Sequence, residues 1–266
     1  MTQQQCGKNA LINEEALKEK MKNAFLHLSL YIILLQSGIS LTTIGVFKQA
    51  HYVTKVSEWG TNALIITYIA FSFIMLAPKF TFGIVYFNLT NILCIWCDEI
   101  KNNKSNLCML QETKYFIEGL NNVSNHFAEF LFWIISTFQV AVIFLGYVTI
   151  FTIFAFFINE DFKCWENICF ITGHALFELA LIYGMFILCH KSGSLAKNVQ
   201  ELKKVILNIE FQSGQSGTVS LLLDEFRGFD ANGYFTLNHS LITSLTTNFL
   251  TFLVILVQFK QTESSK

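Results

Sequence analysis

From Trp59 to Cys97 the chain carries a single charged residue, Lys79. A stretch that apolar has no side to turn to water. In hydrocarbon every backbone N–H and C=O must be paired inside its own segment, which an isolated helix does and an isolated strand does not. The same constraint recurs along the chain. A bilayer core of ~30 Å takes about 20 apolar residues of helix, and runs of this kind occupy residues 24–47, 61–87, 130–158, 167–190 and 237–259. Composition agrees: 53% of the 266 residues are hydrophobic and 14% are charged, where a soluble domain carries about 25% charged residues. Mean hydropathy is +0.46, and there are 28 Phe against one Pro, Pro78. These features imply an all-α, polytopic helical membrane protein with five transmembrane helices.

Other classes fall away. A formal net charge of −1 offers no basic field for nucleic acid. Cys6, Cys94, Cys97, Cys108, Cys164, Cys169 and Cys189 are odd in number and lack metal-type clustering. Cys94-Ile95-Trp96-Cys97 has redox spacing, but it lies in an apolar helical run and reads as packing. No short apolar stretch follows Met1, so the first span is expected to insert as its own signal anchor.

The second run is the ambiguous one, since it fits either one long bent helix or a tight hairpin of two spans around Pro78 and Lys79. Cytoplasmic flanks carry the Lys/Arg excess. Five spans with the N-terminus inside place twelve basic residues in the inner segments and five in the outer ones; six spans place ten inside and eight outside. Five spans are therefore preferred, with a cytoplasmic N-terminus and an extracellular C-terminus. The organisation expected is a cytoplasmic segment 1–23, a bundle 24–190 of four helices with a cytoplasmic loop 98–127, a cytoplasmic helical anchor 191–236, and a last span and short tail 237–266.

Asn13 before Glu14 and Glu15 reads as a helix cap with acids at the positive end of the dipole. Leu195, Val199, Leu202, Ile206 and Ile209 recur at helical spacing beside Lys197, Lys203 and Lys204. This is an amphipathic helix whose apolar face finds a partner either within the same subunit or in another. Gln212-Ser213-Gly214-Gln215-Ser216-Gly217 then breaks the chain before a second short helix over residues 219–229.

No metalloprotease, phosphate-loop or nucleophile-elbow motif is present, so no enzyme, cofactor or metal is expected. The polar residues inside spans matter more, because they are expensive there. His174 and Glu178 are four apart on the fourth span, near mid-bilayer, beside Phe170, Phe177 and Tyr183. They form either a mutually satisfied pair or a polar patch in a ligand cavity. On the last span Ser240, Thr243, Thr247, Thr251, Val254 and Gln258 fall on one helical stripe. Such a stripe is either a packing seam or the wall of a pore.

The segment Thr251-Phe252-Leu253-Val254-Ile255-Leu256-Val257-Gln258-Phe259 resembles the signature of insect gustatory receptors: Thr-Tyr, five hydrophobic residues, then Gln-Phe. The approach to it, Ala231-Asn232-Gly233-Tyr234-Phe235-Thr236-Leu237-Asn238-His239-Ser240-Leu241, is also similar to that family. The resemblance implies a multi-pass plasma-membrane protein of seven helices with an intracellular N-terminus, assembled as a homo- or hetero-tetrameric, ligand-gated cation channel that detects a small-molecule tastant. The five runs would correspond to the family's helices three to seven, the first two being absent here. It places Thr247, Thr251, Val254, Gln258 and Phe259 along the pore, with Phe252 where the family usually has Tyr. Ligand-pocket candidates are Phe170, His174, Phe177 and Glu178. The alternative is a truncated, non-conducting receptor-like protein that assembles with or scaffolds full-length subunits. A small transporter is disfavoured for want of an inverted repeat.

Asn103-Lys104-Ser105 and Asn122-Val123-Ser124 are glycosylation sequons on the side assigned to the cytoplasm. Both should stay unmodified in cells. A glycosidase-sensitive mass shift mapped to either Asn would overturn the orientation.

Overall fold

The computed structural model describes the backbone of residues 14–54, 58–102, 106–158, 165–214, 217–224 and 226–264. In chain order the elements are α1 (Glu14–Thr54), α2 (Glu58–Lys101), α3 (Asn106–Ile158), α4 (Trp165–Ser213), α5 (Thr218–Asp224), β1 (Phe229–Ala231), β2 (Phe235–Leu237) and α6 (His239–Ser264). The chain is all-α apart from one small hairpin, and it is a polytopic membrane protein. The run holding Pro78 is one continuous helix of 44 residues, which excludes the hairpin of two spans. At 1.5 Å per residue α2 is ~66 Å long, about twice the thickness of a bilayer core. Among the described residues, Lys18–Lys48, Cys108–Ile153 and Trp165–Ser213 are long and apolar enough to cross a membrane, and Gly60–Ala70 is a shorter apolar stretch. Within the expected loop 98–127, α2 runs to Lys101 and α3 begins at Asn106. The Asn13 cap lies outside the described residues.

The chain divides into two compact units, to both of which each of the four long helices contributes. The first comprises Met1–Leu26, Ile84–Ile135 and Ile187–Ile242. Its core is built on the stripe read from the sequence: Leu195, Val199, Leu202 and Ile206 are fully buried and Ile209 nearly so, with Ile100, Phe116 and Leu120. The stripe is therefore covered within the chain itself. It belongs to no separate helix, being the second half of α4. The buried Glu210 carboxylate accepts from the backbone N–H groups of Val219 at 2.9 Å and Ser220 at 3.2 Å, satisfying donors that the first turn of α5 leaves without partners. At the other end of α5 the Lys203 ammonium lies 2.6 Å from Asp224 and holds that carboxyl below its usual range.

The second short helix stops at Asp224, and residues 229–231 are a strand instead. β1 and β2 pair antiparallel, Phe229 with Leu237 and Ala231 with Phe235. The turn is Asn232-Gly233, with φ of 58° and 78°, and Tyr234 N–H donates to the Ala231 carbonyl at 3.2 Å. Two successive left-handed residues match the twist of a two-residue hairpin, and Asn-Gly adopts them at least cost. Phe229 anchors the hairpin: its N–H donates to Ser192 Oγ at 2.8 Å, and its ring meets Tyr86 edge-on at 5.6 Å between centroids. Asn238 then caps α6 by accepting from Leu241 N–H at 3.1 Å. Cys94 and Cys97 are free and buried; Cys97 Sγ–H donates to the Asn198 carbonyl, and burial pushes its thiol up to about 12. That is an inert packing role rather than a redox pair.

The second unit comprises His27–Gly83, Ser136–Phe186 and Thr243–Lys266. Here α1 and α4 touch backbone to backbone. A Cβ added at Gly38 would stand 2.6 Å from the Phe177 nitrogen, and one at Gly45 2.7 Å from the Glu166 carbonyl; one at Gly173 would collide with the Thr42 nitrogen. Lipid tails are as apolar as Leu, so helices in a bilayer gain by close approach, which small residues permit. Leu35 and Ala180 fill the seam with Tyr31, Leu34, Ile39 and Phe177. Gln36 Nε2 donates to Ser72 Oγ at 2.9 Å, tying α1 to α2.

Replacing an ordinary helical Gly by Ala stabilises by about 1 kcal/mol. At Gly173 the sign should reverse, and Gly173→Ala should cost about 1–3 kcal/mol through overpacking against α1. Thermal unfolding in detergent would read this as a lowered midpoint; a raised midpoint would mean that the two helices lie further apart.

Candidate functional site

The four pocket candidates lie in the second unit, on the half of α4 that packs against α1. His174 is buried, with its ring 4.2 Å from the Phe170 ring between centroids. His174 Nδ1 is 3.1 Å from the Phe170 carbonyl and 3.4 Å from Thr42 Oγ1. A carbonyl only accepts, so Nδ1 carries the proton there, shared with the Thr42 oxygen, and Nε2 is left as an acceptor.

His174 is not paired with Glu178, as the spacing of four had allowed. Helical side chains lean toward the N-terminus, and His174 reaches back one turn to its own helix at Phe170. Glu178 turns toward α3, where its Oε1 is 3.1 Å from the position a Gly146 Cβ would take, beside the Phe249 ring of α6. The glycine makes room for both. Glu178 and Phe177 are half-buried, as is Phe170, and among the described residues Glu178 makes no hydrogen bond or ion pair. Tyr183, expected as a flank, instead binds His27 Nδ1 through its hydroxyl at 2.8 Å.

Three participants escaped the sequence reading. Thr42 was legible as part of a small-residue seam, Gly38, Thr42, Gly45, at spacings of four and three. Gly146 carries no signal of its own. Thr149 sits one turn beyond Gly146, and its Oγ1 is the buried side-chain oxygen left without a partner among the described residues. Other helical threonines, such as Thr90 and Thr152, donate to the carbonyl four residues back.

None of the pore candidates is brought to the pocket residues; the α6 residue beside Glu178 is Phe249, which lies between Thr247 and Thr251. Thr247, Thr251, Val254, Gln258 and Phe259 are all exposed, Val254 at 56% and Phe259 at 68% of its surface. Thr247 Oγ1 donates to the Thr243 carbonyl and Thr251 Oγ1 to the Thr247 carbonyl, both at 2.9 Å. With the hydroxyl protons spent on the helix, what these threonines turn outward is an acceptor oxygen.

No family model and no curated protein matches the chain. Among solved structures, an insect olfactory receptor from Machilis hrabei, in complex with eugenol, matches with a TM-score of 0.66 over 93% of this chain and 69% of that receptor, at 15% identity. The chain has the fold of that receptor. At that identity the likeness concerns architecture alone. The Thr42–His174 contact is a testable tie between α1 and α4. A double-mutant cycle of Thr42→Val with His174→Phe should show coupling of about 0.6 kcal/mol. A cycle of His174→Phe with Glu178→Gln should be additive in unfolding experiments, and coupling there would restore the pair that the geometry excludes.

Proposed function

We propose that the chain is a subunit of a gustatory-receptor-type, ligand-gated, non-selective cation channel of the plasma membrane. The observation that carries this is the exposed hydroxyl stripe on α6. A lone helix that turned Thr243, Thr247, Thr251 and Gln258 to lipid would leave polar groups in hydrocarbon. Repeated by symmetry in a homo- or hetero-tetramer, the same stripes line a water-filled path whose wall offers acceptor oxygens to cations without a fixed charge. The resemblance of residues 251–259 to the gustatory signature supports the taste reading within the chemoreceptor fold.

In this reading a small-molecule tastant binds among Phe170, His174, Phe177 and Glu178, and Phe249 carries its arrival to α6 at Gly146. The olfactory receptor of the same fold holds a small aromatic ligand, eugenol. The N-terminus is cytoplasmic, as the twelve-to-five division of basic residues supports, and segments 1–23 and 191–236 lie on that side. One alternative is a non-conducting subunit that assembles with full-length receptors.

Gln258→Leu distinguishes the readings. A ring of Gln258 side chains near the outer end of a conducting path, replaced by Leu, raises a dewetting barrier. Ligand-evoked current should vanish while surface expression is unchanged, in this chain or in one co-expressed with full-length subunits. Normal current with unchanged selectivity would remove the stripe from the pore wall. Loss of current only from assemblies containing full-length partners would favour the non-conducting alternative for this chain alone.

A further inference from the structure

Two half-buried lysines of the first unit, Lys20 and Lys191, have no acidic partner among the described residues. Lys191, one residue past the fourth apolar run, places Nζ 3.4 Å from Asn91 Oδ1 and 5.9 Å from the centroid of the Phe87 ring. Asn91 is buried, and its Nδ2 donates to the Lys20 carbonyl at 3.4 Å. One amide thus ties α1 and α4 to α2. The ion pairs of the described residues lie elsewhere, Lys101 with Asp98 and Glu201 and Lys203 with Asp224; neither Lys20 nor Lys191 has one. A half-buried ammonium held by one neutral oxygen and a ring face has shed part of its hydration without gaining a counter-charge.

Beside the lysines lies an apolar groove of about 90 Å³ between α1 and α2, lined by Met21, Ala24 and Phe25 on one side and Ile84, Phe87 and Asn88 on the other. Phe87 belongs to both features, being a wall of the groove and the ring under the Lys191 ammonium. The lip is apolar and open, with Phe25 exposed over 59% of its surface. Residues 24 and 87 are the ends read from the sequence for the first two runs, so the groove falls where hydrocarbon gives way to headgroups, and Lys18 and Lys22 are exposed on the same stretch of α1.

We propose that this groove, with Lys20 and Lys191, binds one anionic phospholipid. An acyl chain lies along Met21, Phe25, Ile84 and Phe87, and the headgroup supplies the counter-charge that the lysines lack. A free anion would satisfy the charge but leave the groove empty, and a neutral lipid would fill the groove but leave the charge. The inference rests on the membrane character of the chain and is independent of conduction. With the orientation proposed above, the lipid comes from the cytoplasmic leaflet, where anionic lipids concentrate.

The test reconstitutes the purified full chain in phosphatidylcholine bilayers with a minority of phosphatidylserine and measures by mass spectrometry the lipid it retains on extraction. Phosphatidylserine should be enriched on the order of tenfold over its bulk share. Lys20→Gln combined with Lys191→Gln should return the share to bulk, whereas the Arg pair should keep it. A phosphatidylserine with a photoreactive acyl chain should label residues 21–25 or 84–88 in the unsubstituted protein, a readout that stands even where a variant folds poorly. Millimolar inorganic phosphate should change nothing. Enrichment that survives the Gln pair, or labelling confined to other segments, would overturn the proposal; displacement by inorganic phosphate would reduce the site to one for bare anions.

Discussion

The constraint on which the rest depends is the backbone's need to pair its own polar groups where water cannot. It converts the apolar runs into helices before any tertiary contact forms, and it does so across a residue as disruptive as Pro78, which sits inside one continuous helix from Glu58 to Lys101. Proline costs ~3 kcal/mol in a helix interior. Opening the helix into a hairpin at this point would have exposed more backbone groups than the ring removes.

Once helices are given, their association cannot be driven by burial from water, because lipid solvates them as well as they solvate one another. The structure answers with contact at backbone distance. Gly38, Gly45 and Gly173 let α1 and α4 meet, and the polar groups at the seam are satisfied locally: His174 by the Phe170 carbonyl and Thr42, Gln36 by Ser72. Glu178 and Thr149 are the exceptions in that unit, one half-buried and one buried, each without a hydrogen-bond partner among the described residues. Unsatisfied groups in an otherwise satisfied interior are where a ligand has most to offer. The Phe249 ring beside Glu178 connects that place to the last helix.

The other unit obeys the ordinary rules of a soluble core. The fully buried stripe of Leu195, Val199, Leu202 and Ile206, the Glu210 carboxylate on the first turn of α5, and Phe229 against Tyr86 fix the approach of the chain to Asn238. Asn238 caps α6, so the start of the last helix is set by a hairpin held to Ser192 of α4.

The sequence by itself determined that five apolar runs become helices, that the stripe from Leu195 to Ile209 is buried, and that the hydroxyls of α6 share one face, because each of these follows from local periodicity and backbone hydrogen bonding. The Asn232-Gly233 turn was also written there, although three-residue strands are too short to show an alternation around it. What only the tertiary structure decided is which polar groups meet. His174 could have paired with Glu178 by spacing alone, but the close approach of α1 brought Thr42 to it, and a glycine on α3, silent in the sequence, took the carboxylate. Spacing along one helix fixes which side chains share a face. Which neighbour that face touches depends on helices distant in the chain, whose separation is set by side chains that are missing as much as by those that are present.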